Sequence, residues 1–176
     1  MSGHNKFSKI KHKKAATDAK KSQIFGKLAK LIAAESKNAG GNIDSPSLKA
    51  AIEKARKENM PGDNIERAIK KGASGDATSL TPVVFETYGP GGAAIIITAL
   101  TDNNNRTSGE MKHLLSKNGI ELAAPGAASW AFEKTNDGWT AQTMVEVSEG
   151  DQEKLEKLIA EIEEHEDVQD VYTNAR

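Results

Sequence analysis

The periodicity of this chain changes once, between Gly72 and Val83, and that change limits what it can fold into. Up to Gly72 the apolar residues recur at spacings of three and four, as on helices; from Val83 alternating and continuous runs, as in strands, join the helical spacings. In residues 18–38, Ile24, Phe25, Leu28, Leu31 and Ile32 form one stripe, and the Gly40-Gly41 pair stops it. Ser45 followed by Pro46 reads as an N-cap with proline at the first helical position, opening a second helix with the stripe Leu48, Ala51, Ile52 and Ala55. A third helix starts near Pro61 with Asp63 in its first turn. It turns Ile65, Ala68 and Ile69 inward, carries Lys70 and Lys71 in its last turn and stops at Gly72. Three helices with short connections make a small bundle.

Beyond the turn-rich stretch GASGDATSLTP, residues 83–88 alternate as a strand, Gly89 to Gly92 turn, and 93–100 is apolar on both faces, hence a central strand. Thr107 with Glu110 reads as a capping box for a helix carrying Met111, Leu114 and Leu115, ending at Gly119. Strands are expected at 127–133 and 139–147, a helix from about 151 with Leu155, Leu158, Ile159 and Ile162 inward, and a closing strand in VQDVYT. The order is ββαββαβ. Discounting the first hairpin arm leaves the split βαβ arrangement of ferredoxin-like sandwiches. The expected fold is therefore α+β: a helical domain over 1–72, a linker over 73–82 and a ferredoxin-like α/β domain over 83–176.

Charge divides at the same place. Residues 1–72 hold 17 Lys+Arg and 7 Asp+Glu, a net of +10, and residues 73–176 hold 7 and 18, a net of -11. The overall net of -1 describes neither part. Such asymmetry suggests a basic module for an anionic partner beside an acidic one that keeps the whole soluble. The opening KFSKIKHKKAATDAKK places Lys6, Lys9, Lys11, His12, Lys13, Lys14, Lys20 and Lys21 around one phosphate-binding surface. Lysine lacks the fork geometry that reads base edges, and no arginine precedes Arg56, so backbone or shape recognition is expected. An ordinary solvated basic tail is the alternative. Phe7 and Ile10, interleaved with the lysines, suit either a docking surface or an anchor onto the bundle.

Several function classes find no support. Tyr88-Gly89-Pro90-Gly91-Gly92 lacks the spacing of a P-loop or a dinucleotide fingerprint and leads into a strand, so it reads as a hairpin turn in which Gly91 and Gly92 supply positive φ. Asp102 to Asn105 opens like a calcium loop, but Arg106 stands at the fifth position and no glutamate at the twelfth. It reads instead as a polar helix entry that lets Arg106 touch phosphate. The four histidines have neither helical pairing nor cysteine partners, so no metal site is expected. No nucleophile motif or acid–base carboxylate pair is found, which argues against an enzyme. The absence of cysteine fits a reducing cytosol, no apolar run reaches membrane length, and the opening lacks the apolar core of a signal peptide. A cytoplasmic protein is expected.

Four segments together resemble the YebC/PmpR family, which includes the mitochondrial translational activator of cytochrome c oxidase: GHNKFSKIKHKKAATDAKK, NMPGDNIERAIKKG, YGPGGAAIIITALTDNNNRT and DVQDVYTNA. The resemblance implies a three-helix basic domain followed by α/β domains, no cofactor and no catalysis. It implies a DNA-binding transcriptional regulator or, alternatively, a ribosome-associated translation factor binding ribosomal RNA. Typical members are longer, with a further α/β domain inserted where KTNDG simply turns here, and they carry arginine where this chain has Asn104. On this reading the opening lysines contact phosphate, Arg67, Lys70, Lys71 and Arg106 extend the track, and the acidic domain is left for a protein partner or a second copy. A protein-interaction module whose basic half binds an acidic partner is the rival outside this class.

Overall fold

The computed structural model describes residues 18–176, which fall into two compact units, 18–80 and 81–176. The first unit is three helices: α1 (Asp18–Asn38), α2 (Pro46–Lys57) and α3 (Gly62–Ala73). Leu28 and Ile32 of α1, Leu48, Ala51, Ile52 and Ala55 of α2, and Ile65 and Ala68 of α3 make the core, with Met60 between α2 and α3. Each Leu or Ile fully buried there stabilises the unit by about 1.5–3 kcal/mol.

The helix ends show which local signals act. Gly40 and Gly41 adopt φ of 60° and 81°, and the Gly41 N–H returns to the Ser36 carbonyl, closing α1. Ser45 precedes Pro46 as expected, but its hydroxyl meets Ser47 at 3.3 Å and caps no backbone N–H. Asn59 ends α2 at φ 61°, and the next residue, Met60, donates back to the Ala55 carbonyl. Lys37 donates to the Ala77 carbonyl (2.8 Å) and to Ser79 Oγ (2.9 Å), which ties the segment after α3 to the end of α1.

Gly72 corrects a sequence expectation. It does not stop α3, which continues to Ala73; it lies buried inside the helix against α1. A Cβ at this position would stand 2.3 Å from the Ala33 carbonyl oxygen and 2.6 Å from Ser36 Cβ. Ser36 in turn donates 2.7 Å to the Ile69 carbonyl, so at Gly72 the two helix backbones meet with only the small Ser36 side chain between them.

The second unit carries β1 (Thr81–Tyr88), β2 (Ala94–Thr101), α4 (Asn104–Lys117), β3 (Leu122–Ala123), β4 (Phe132–Thr135), β5 (Gly138–Ala141), α5 (Glu149–Glu163) and β6 (Val168–Thr173). Four strands form a sheet in the order β3-β1-β2-β6, with every neighbour antiparallel. The chain crosses from β2 through α4 to β3 past the intervening β1, a split βαβ unit. Ile95 and Ile97 face Met111 and Leu115 of α4 and Leu155, Leu158 and Ile162 of α5. Ala94 and Ile96 point the other way, under Ala128, Ala131 and Phe132. The α+β class and the α/β sandwich therefore stand, with β2 buried on both sides as its composition requires.

The internal assignment of strands differs from the alternation in the sequence. The first hairpin arm, discounted there, is the strand between β2 and β3. The segments expected as strands at 127–133 and 139–147 leave the sheet: Ser129–Ala131 is a 3-10 turn, and β4 pairs only with β5. Glu86 supplies the reason. Its carboxylate, on the face of β1 away from the helices, accepts N–H groups of Gly126 (2.6 Å), Ala128 (3.0 Å) and Ser129 (2.6 Å), donors that a strand would have given to a neighbour. Burial pushes this carboxyl up, but the backbone donors of Gly126, Ala128 and Ser129 outweigh it and hold it below the usual carboxylate range. Further along, Gln142 and Thr143 both donate to the Ala131 carbonyl, which ends β5, and Val145 then pairs in parallel with Ala175.

Gly91 and Gly92 take φ of 73° and 77° in the turn between β1 and β2, as the hairpin reading requires. Substituting Gly72 with alanine is expected to cost the first unit about 1–3 kcal/mol, because the new methyl must push Ala33 and α1 away. Alanine at Gly62, where a Cβ meets nothing within 4 Å, is the matched control. Urea denaturation followed by circular dichroism measures both.

Candidate nucleic-acid interface

Six of the residues expected to meet phosphate, Lys6, Lys9, Lys11, His12, Lys13 and Lys14, lie outside the described residues. Lys20 and Lys21 stand in the first turns of α1; Lys20 is half-buried and donates to Gln23 Oε1 at 3.2 Å, and Lys21 is exposed. The clearest group is on α3. Ile65, Ala68 and Gly72 turn inward, which places Arg67, Lys70 and Lys71 at spacings of three and four on the opposite, solvent-facing side. The side chains of these three make no ion pair or hydrogen bond with a described residue, although Asp63 and Glu66 stand one turn away on the same helix. Their charges are open to an external anion.

The sequence reading passed over the end of α2, where Lys54, Arg56 and Lys57 fill the last turn and Lys57 is exposed. The run Lys-Ala-Arg-Lys was the available signal. Arg56 is partly occupied, reaching Glu53 at 3.3 Å.

Arg106 is positioned differently from the expectation. The helix it was to adorn begins earlier than the Thr107 capping box: α4 starts at Asn104, capped by Asn103, whose Oδ1 accepts the Arg106 N–H at 3.1 Å. This puts the guanidinium among three carboxylates, Asp102 (3.1 Å), Glu110 (3.1 Å) and Asp167 (2.9 Å). Hydrogen bonds to Asp102 and then Asp167 hold it protonated beyond the ordinary arginine range. A phosphate would compete with all three for the same N–H groups.

Thr107 is buried inside the helix instead of capping it. Its hydroxyl lies 2.7 Å from Asp167 Oδ2 and 2.6 Å from the Thr101 hydroxyl. Glu110, the other half of the expected box, also meets His165 Nε2 at 2.7 Å. His165 Nδ1 accepts the Asp167 N–H at 3.1 Å, which leaves Nε2 to carry the ring proton toward Glu110. Glu110, His165 and Asp167 offer ligand atoms within 4.8 Å of one another. Arg106 already binds two of the three, so its guanidinium supplies the positive charge a cation would bring. The network fastens the end of β2 and the start of α4 to the turn before β6. With a side chain only 4% exposed, Asp167 has no water to replace its partners. Asp167→Ala is expected to cost about 2–4 kcal/mol by urea denaturation, since it takes one partner from the buried Thr107 hydroxyl and removes the buried acceptor of Arg106.

Among the described residues, no helix is long and apolar enough to cross a membrane. Residues 5–75 match the family model described as the TACO1/YebC protein N-terminal domain, and residues 80–137 and 133–175 match the model of the TACO1/YebC second and third domain. A protein of Thermotoga maritima named "Probable transcriptional regulatory protein" is 48% identical over 161 residues, covering 90% of this chain and 61% of the relative. One of the same name from Thermotoga petrophila is 54% identical over 136 residues, covering 76% and 54%. The chain thus spans between half and two thirds of the length of these curated relatives. The crystal structure of the conserved hypothetical protein Aq1575 from Aquifex aeolicus superposes with a TM-score of 0.77 at 30% identity, covering 90% of this chain and 91% of that one. Both units are matched, and the chain belongs to the TACO1/YebC family.

Proposed function

We propose that this protein is a non-enzymatic regulator of gene expression that grips nucleic acid by its phosphates, through the basic helical unit. The observation that carries the reading is the outer face of α3, where Arg67, Lys70 and Lys71 are exposed and spend no charge inside the molecule. They belong to a stretch, residues 1–80, with 17 basic and 8 acidic residues, a net of +9. Lys6, Lys9, Lys11, His12, Lys13, Lys14, Lys20 and Lys21 extend the same field. Cations of this kind release counterions from the backbone and bind with an affinity that falls steeply with salt. The names of the relatives favour transcription as the process, for which DNA would be the target.

A second reading, a ribosome-associated translation factor, is favoured by the composition of that same face. Arg67, Lys70 and Lys71 dominate it, point charges or forks aimed at phosphate, and half-buried Asn64 at its border is the one amide side chain on α3. A helix that holds phosphates without reading bases suits shape recognition, and hence structured RNA. Both readings share the cytoplasmic setting, need no cofactor and place no catalysis on the chain. The acidic unit is left for a protein partner.

The test is competition between a DNA duplex and a ribosomal RNA helix of equal length, followed by fluorescence anisotropy across a salt series. The variant R67Q/K70Q/K71Q is expected to bind both about tenfold more weakly, with the salt slope lower by two to three. Arg106→Gln, whose partner charges are internal, is expected to stay within about twofold of the unmodified protein. Unchanged affinity in the triple variant overturns the proposal. Preference for the duplex or for the RNA helix at physiological salt selects transcription or translation.

A further inference from the structure

Trp130 is 61% exposed, the most exposed large apolar side chain among the described residues, and it is held in place. Its indole N–H donates to the Tyr88 hydroxyl at 2.7 Å, and that hydroxyl donates to the Ala127 carbonyl at 2.5 Å. The backbone beneath, from Gly126 to Ser129, is fastened by the three N–H groups that Glu86 accepts. The ring is thus aimed at solvent by a buried carboxylate and two hydrogen bonds, which an incidental surface tryptophan does not require. Because both aromatic polar atoms are satisfied internally, what faces outward is chiefly π surface.

Tyr88, itself 38% exposed, is also a wall of an open groove of about 680 Å³. Pro90, Asp151 and Lys154 line one part of the groove and Leu122 and Ala123 another. These last two are β3, the outermost strand of the sheet, paired on one side only. An extended chain laid there would run beside an edge strand and reach the aromatic pair.

The charge around the site selects the occupant. Between Lys117 and Lys134 the chain has no lysine or arginine, while Glu121 and Glu133 are exposed on either side of the loop. Residues 81–176 hold 17 acidic and 7 basic residues, a net of -10. Such a field repels a phosphate backbone, so base stacking on Trp130 is disfavoured despite its geometry. It attracts cations, and a guanidinium both matches the charge and stacks flat on an indole. We propose that the Trp130–Tyr88 platform and the groove along β3 bind an extended, arginine-bearing segment of a partner protein. This surface is separate from the phosphate-binding face of α3 and stands whether or not that reading holds.

The chain has two tryptophans, so its ¹H–¹⁵N spectrum contains two indole N–H signals, and Trp130→Phe assigns them. The unmodified protein is titrated with an eight-residue capped peptide of alternating Gly and Arg, with its Lys and Glu counterparts, and with a twelve-residue oligo-dT. The arginine peptide is expected to move the Trp130 signal saturably, with submillimolar affinity, and the lysine peptide to bind several-fold more weakly. The glutamate peptide and the oligonucleotide are expected to leave that signal in place. Trp130→Ala is expected to weaken arginine-peptide binding at least fivefold while shifting Tm by no more than a few degrees. Equal binding by Trp130→Ala, equal binding of the arginine and lysine peptides, no movement by the arginine peptide, or a Trp130 shift with oligo-dT each overturns the proposal. None of these results bears on the α3 variants, so the two readings fail separately.

Discussion

Strand β2 is buried on both faces, and the rest of the second unit is arranged around that burial. Ile95, Ile96 and Ile97 are fully inaccessible, and consecutive strand residues point to opposite sides, so two separate covers are needed. Helices α4 and α5 supply one through Met111, Leu115, Leu155 and Leu158. The 3-10 turn and the β4–β5 hairpin supply the other through Ala128, Ala131 and Phe132. The second cover is held by polar groups as much as by packing, because Glu86 on β1 and Asn174 after β6 both reach into it. Asn174 accepts the Ala94 N–H and donates to the Thr143 carbonyl, both at 2.8 Å. A buried carboxylate and amide without these partners would cost more than the small side chains above them return.

The same logic separates cations that hold the fold from cations that face outward. Arg106 meets three carboxylates, one of them buried, and joins two elements that the chain brings together only in the folded state. Arg67, Lys70 and Lys71 meet none in a direct contact; Lys70 and Lys71 favour the helix end on which they stand, and the three repel one another at close spacing. A surface that keeps three like charges on one stripe is paying a small folding cost, and neutralisation by an anion relieves it. By this criterion the α3 face keeps its charges for an external partner, while Arg106 spends its own inside the molecule.

The helical unit was legible almost residue by residue, because its stripes, its Gly40-Gly41 stop and its Ser45-Pro46 start are local signals read from spacing. The exception, Gly72, has the same letter as a C-terminal stop but is required by the approach of α1, thirty-odd residues earlier in the chain. The second unit was legible in its elements and in the double burial of β2, yet its strand order was not. Alternation reports which face a residue occupies and is silent on its neighbour across the sheet. What decides that 127–133 curls away is one carboxylate, Glu86, forty residues upstream, and a glutamate at an alternating position looks like any solvent-facing residue. The start of α4 was misplaced for a similar reason: Thr107 and Glu110 match a capping box in spacing, but Asn103 caps the helix and Asp167, sixty residues later, claims the threonine.

Glu86 also connects the fold to the surface it presents. A strand at 127–133 would have turned Trp130 into one more residue of a sheet, covered or exposed according to its parity. By taking three N–H groups from the loop, the carboxylate converts that stretch into a rigid turn, with the indole outside and Ala128 and Ala131 inside. The acidic unit thereby gains an aromatic face fixed in advance, while the basic helical unit offers long, mobile side chains suited to a phosphate track of any sequence. Stacking on a fixed ring depends weakly on salt and strongly on the geometry of one group, whereas the lysine field has the opposite dependence. Under the two proposals, each surface therefore takes a ligand of a different kind, and the two do not compete for the same chemistry.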